Sequence, residues 1–237
     1  MINIKSVELL IGFITFFLAY LIAITLANYF RAWVADKMGD PTAENMGFLT
    51  LNPLVHIDPI GLLFLILFYF GWGRHVPINP FNITGPSRSI KLIFAYLSDT
   101  IAHFFLALVS LVLLIAAFDV HILNIARYMI LTRNISHLYI AHLYPAASSF
   151  LVSIAFIVVA LVYLNVILGV LDLIINVCSL IMLLIVERSP QYAMYNTYIT
   201  VLLPILLILF FSGPLRFLAV NLISYAGYTI AHALGIA

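Results

Sequence analysis

The sequence predicts an all-α polytopic membrane protein with four to six transmembrane or re-entrant segments, and two observations carry the prediction. Of 237 residues, 65% are hydrophobic and only 8% are charged, against about 45–50% and about 25% in soluble domains. Four apolar runs come near or exceed the roughly 20 residues a helix needs to cross a bilayer: Val7 to Ala27, Leu92 to Phe118, Phe150 to Ile185 and Tyr198 to Phe211. The chain reads as one integral membrane domain over 1–237, with spans at about 7–33, 60–72, 91–118, 148–186 and 198–222.

Each element follows from its residues. No basic n-region with a small-residue cleavage site precedes Val7, so the first run is expected to be a retained helix. Ile60 to Trp72 is below spanning length and sits between Pro59 and Gly73, which suits a re-entrant hairpin or a partial span. The stretch Asp119 to Pro145 is less apolar and holds His121, Arg127, Tyr128, Arg133, His137, Tyr139, His142 and Tyr144. It suits the membrane interface or an extramembrane contact surface. Tyr198 to Phe211 is short alone and extends toward Leu222. The single Cys178 cannot form an intrachain disulfide.

Arg31, Lys37, Arg74, Arg88 and Lys91 fall between the first span and the one that starts near Leu92, and Arg188 returns to their side if Phe150 to Ile185 crosses once. The positive-inside rule then places loop 34–91 on the cytoplasmic or matrix side of a bacterial or organelle inner membrane. A net charge of +1 gives no reason to expect nucleic acid as a partner. The expected partners are membrane lipid and other transmembrane proteins in a hetero-oligomeric complex.

The most structured loop is Gly39 to Gly61, G-D-P-T-A-E-N-M-G-F-L-T-L-N-P-L-V-H-I-D-P-I-G, followed by Gly71-Trp72-Gly73 and Val76-Pro77-Ile78-Asn79-Pro80. Pro53, Pro59, Pro77 and Pro80 remove donors and disfavour helix just before them, while Gly61 and its counterparts permit sharp turns. Asn52, His56, Asp58 and Asn79 are the side chains suited to satisfying the loop's backbone.

This segment resembles the short, few-span branch of the site-2 protease family of intramembrane zinc metalloproteases, and the resemblance implies a site-2-protease-like core. In that family the preceding helix carries H-E-x-x-H, two zinc-binding His and a Glu general base. Counting back from Gly-Asp-Pro-Thr-Ala places the motif on Ala27-Asn28-Tyr29-Phe30-Arg31, where both imidazoles and the base are missing. The family's third ligand, an Asp in a Pro-rich D-G segment, falls on Leu180 in the run Asn165 to Ile181, whose prolines are also gone, so that segment is expected to continue as helix. A middle-span landmark resembling A-G-P-L-A-N reads Ser98-Asp99-Thr100-Ile101-Ala102-His103. The resemblance therefore implies a pseudoprotease, with no catalytic residue, metal or cofactor.

Other polar positions keep alternatives open. Among the seven His, none pairs at the i, i+3 or i, i+4 spacing that sets two ligands on one helix face. A rebuilt metal site would need His56, Asp58 and His103 to converge. Asp99 and His103, at i and i+4, either pair with each other and a partner helix or mark a functional site. Asn165, Asp172 and Asn176 form a stripe that either binds another helix, lines a water-filled path, or bonds within the bundle. The leading function is a catalytically inactive structural or binding subunit of a membrane complex. An active peptidase with a non-standard metal site, and a small transporter or channel component, are the alternatives.

Overall fold

The structure is a computed structural model that describes residues 4–68, 70–132, 140, 142, 144, 145, 148–189 and 193–236. Arg133, His137 and Tyr139 lie outside the described residues. The fold is all-α, and three of its helices are long and apolar enough to cross a membrane: Leu10–Lys37, Arg88–Phe118 and Phe150–Arg188. We number the helices α1 (Ile4–Lys37), α2 (Thr42–Asn45), α3 (Pro53–His56), α4 (Pro59–Phe68), α5 (Arg88–Phe118), α6 (Ile122–Thr132), α7 (Ser149–Arg188) and α8 (Ala193–Ala233).

Helix α1 stops for a local reason. Gly39 takes φ 103°, Asp40 N–H donates to the Ala35 carbonyl and Gly39 N–H to that of Asp36, both at 2.9 Å, which is a Schellman ending. Helices α3 and α4 are set by caps: Asn52 Oδ1 accepts from Leu54 N–H at 3.1 Å, and Asp58 Oδ1 accepts from Gly61 N–H at 2.8 Å. Pro53 and Pro59 occupy first helical positions, where a missing N–H costs nothing.

After α4 the chain doubles back on itself. A Cβ built on Gly61 would lie 2.1 Å from the Trp72 carbonyl oxygen, and one on Gly71 would lie 2.1 Å from that of Gly61. The returning strand is tied to the incoming one by the Ile57–Gly73 bridge and by Arg74 N–H donating to His56 O at 2.7 Å. Tyr20 Oη donates to Trp72 O at 2.8 Å, which fastens this hairpin to α1.

Helices α5 and α7 pack antiparallel along most of their length, with α1 against both and α8 against α7 and α6. Arg88 at the start of α5 meets Glu187 at the end of α7 at 2.8 Å. The core is a continuous apolar cluster in which Phe16, Tyr20, Leu114, Leu123, Phe156 and Leu164 are buried. Helix α7 runs unbroken for 40 residues through the segment that lacks the prolines, and α8 runs for 41, past Pro204 and Pro214 and beyond both ends of the 198–222 segment.

Candidate functional site

Two polar clusters are enclosed by α1, α5, α7 and the strand that follows the hairpin. The first centres on Arg31, 1% exposed. Its Nη1 pairs with Asp99 Oδ2 at 2.5 Å and donates to Asn176 Oδ1 at 2.9 Å and to the Tyr96 carbonyl at 3.1 Å. Asn176 Nδ2 in turn donates to Asp99 Oδ1 at 2.8 Å and to Thr100 Oγ1 at 3.2 Å. The guanidinium carbon also stands 5.8 Å from the Tyr96 ring centroid, a cation–π contact. Arg31 Nε has no partner among the described residues.

The second cluster lies one turn further along both helices. His103 Nδ1 is 2.7 Å from Asn165 Oδ1, and its Nε2 is 3.3 Å from Asp172 Oδ2. Asp99 and His103 therefore do not pair with each other: the turn between them sends each to a different partner on α7. The Asn165, Asp172 and Asn176 stripe is divided in the same way, with the first two serving His103 and the last serving Arg31 and Asp99. Its bonds are internal to this bundle.

The loop residues have structural neighbours. Asn28 Nδ2 donates to the Arg74 carbonyl at 2.9 Å. His56 is buried, and one ring nitrogen, Nε2, donates to Thr50 O at 2.8 Å while Nδ1 has no partner among the described residues. Burial pulls its pKa below the ordinary histidine value, and the Thr50 carbonyl works against that by favouring a ring hydrogen. His56 and Asp58 are thus committed within the loop, and they do not converge with His103. Ala27 is fully buried and offers no donor atom. Leu180 packs beside Ile83, Leu92 and Leu183, and the α7 residue that reaches Arg31 is Asn176, one turn earlier.

Sequence reasoning missed Asp40. It is fully buried and accepts from Thr42 N–H at 3.1 Å, Asn79 N–H at 2.6 Å and Asn82 Nδ2 at 2.8 Å, joining the start of the loop to its end. Arg88 then spans Ile83 O and Pro80 O at 3.0 and 3.2 Å. The signal available was an Asp directly after the Gly that ends a helix, where a carboxylate caps the next turn. Among the described residues, no group of three or more His, Cys, Asp or Glu is placed to hold a metal ion.

Fold and site together define an all-α integral membrane protein whose three packed helices are cross-linked by buried ionisable side chains. One stretch of it is related to a metalloprotease: 59 residues are 42% identical to a Bacillus subtilis (strain 168) protein provisionally named zinc metalloprotease YwhC. The stretch covers 25% of this chain and 27% of that protein, so about a quarter of the relative's length is matched. No protein-family model matches the chain, and no solved structure matches it.

Proposed function

We propose that the protein is a catalytically inactive relative of the site-2 proteases that serves as a structural or binding subunit of a membrane protein complex. The Arg31 cluster is the observation that carries this reading. Ala27, Asn28 and Arg31 stand where the family resemblance would put imidazole, carboxylate and imidazole, and their donor set does not suit zinc. Ala27 has no ligand atom, Asn28 spends its amide on Arg74, and Arg31 is a fixed cation that would repel a divalent ion at low dielectric. The nearest carboxylate, Asp99, is already the guanidinium's counter-ion. Such a set offers neither a zinc ligand nor a general base for hydrolysis.

What the cluster supplies instead is a metal-free tie among three helices. Along α1, Leu10, Ile14, Leu18, Ile22 and Leu26 are each 38–58% exposed. At a spacing of four they form one continuous stripe, the kind of face a partner helix or lipid would cover.

Metal analysis of the protein purified from its own membrane in mild detergent, beside a native pull-down, tests the reading. Zinc well below one per chain, with a fixed set of co-purifying membrane proteins, is the expected outcome. Near-stoichiometric zinc that survives washing would sink it.

A further inference from the structure

We infer that Asn165, His103 and Asp172 form a proton-binding site inside the helix bundle, loaded from the face that carries Arg74 and His75. The site does not rest on the inactive-subunit reading, because none of its three residues stands where the resemblance would put a zinc ligand or the general base.

Asn165 sets the hydrogen pattern. Its Nδ2 donates to the Leu161 carbonyl, one turn back, at 2.9 Å, so Oδ1 is the atom that faces His103 Nδ1. An amide oxygen only accepts, so Nδ1 carries a hydrogen. The opposite ring nitrogen, Nε2, again faces an oxygen, Asp172 Oδ2. With Nδ1 already a donor, two arrangements satisfy that contact. Either an imidazolium donates to a carboxylate, or a neutral ring accepts from a protonated Asp172. They differ only in the place of one hydrogen, and both have zero net charge. Take that hydrogen away, and a lone pair on the buried Nε2 faces the Asp172 carboxylate with no hydrogen between them, which is costly. The row is built to hold one proton between Nε2 and Oδ2.

The surroundings provide its route. A cavity of about 40 Å³ is lined by buried His103, Asp99 and Asn28, half-buried Asp172 and Gly73, and exposed Arg74 and His75. That is room enough for water with polar partners. A hydronium ion arriving there delivers its proton to the pair and leaves as water, and the reverse step releases it. The charged or titratable side chains that face the pair are few. Asp99 lies one turn away on α5 and is held by Arg31 from α1, Asp172 comes from α7, and Arg74 and His75 come from the returning strand; α4, α6 and α8 contribute none to the lining. Gain or loss of the proton changes the net charge of the α5–α7 seam, so proton activity at one face is linked to how tightly the bundle packs.

The experiment is nitrogen NMR of the full-length, ¹⁵N-histidine-labelled protein in lipid nanodiscs, titrated from about pH 5 to 9.5, with infrared spectroscopy of the carboxyl bands. His103→Gln and Asp172→Asn assign the signals. The expected result is a His103 ring that keeps its Nδ1 hydrogen throughout, while Nε2 and the Asp172 carboxyl change together at one midpoint, as a coupled pair must. In oriented vesicles that midpoint follows the pH on the Arg74 side. A bare Nδ1, a pair that never changes across the range, or a midpoint that follows the opposite side would overturn the inference. The wild-type nitrogen pattern decides the first two outcomes even if a variant fails to fold.

Discussion

Arg31 shows what a single residue does when it enters an apolar helix. A guanidinium with no counter-ion inside a membrane is expensive, yet here its charge is met by Asp99, and its Nη1 also donates to Asn176 and the Tyr96 carbonyl. A buried pair of this kind is weak as a source of stability, but cutting one partner strands the other. Arg31→Leu or Asp99→Asn alone should therefore lower stability by about 3–5 kcal/mol, while the double substitution should cost less than either single one. Denaturation in mixed micelles measures the cycle, and additive losses would show that the two charges do not interact. In the sequence Asp99 stood out as a polar position in an apolar run, and Arg31 as a degenerate motif position. Their pairing did not, because they are 68 positions apart and no local pattern links them.

At the scale of elements, the hairpin that opens with α4 depends on backbone touching backbone. The approach of Gly61 to Trp72 O leaves no room for a methyl group, and no rotamer change relieves a clash with a carbonyl. Gly61→Ala should spread the hairpin and cost about 1–3 kcal/mol. Limited proteolysis near Trp72 reads the change, and wild-type resistance would show that the strands give way elsewhere. The Pro and Gly punctuation made this loop legible as a turn-rich segment, in which Asn52, His56 and Asp58 each bond to a backbone group. It did not reveal that Asp40 closes the loop, since the partners at 79 and 82 come after the whole hairpin. The loss of prolines before Leu180 was equally readable, and α7 does continue through that region.

For the whole molecule, length and charge raise the question of placement. Helices α7 and α8 hold 40 and 41 residues, about 60 Å each at 1.5 Å per residue, twice the roughly 30 Å hydrocarbon thickness. Each must tilt strongly or continue past the apolar layer. Arg88 and Glu187 bring the start of α5 and the end of α7 to the same end, where Lys91 and Arg188 join them. The expected orientation sets this end on the cytoplasmic or matrix side. A cysteine placed at exposed Phe81, with Cys178 replaced by Ala, should react with an impermeant maleimide only from that side; labelling from the opposite side alone would invert the topology.

The α5–α7 seam also bears on which changes in chain length the protein can tolerate. Arg88 meets Glu187, Asp99 meets Asn176, and His103 meets Asp172, and each step up one helix matches an equal step down the other. All three contacts thus share a single antiparallel register. One residue inserted between Asp172 and Asn176 would turn everything beyond it by about 100° and leave no sliding of the helices that restores all three together. Insertions in the connecting loops leave every contact in place. The seam therefore tolerates gains and losses of residues in the connections but not between the outermost contacts of the two helices.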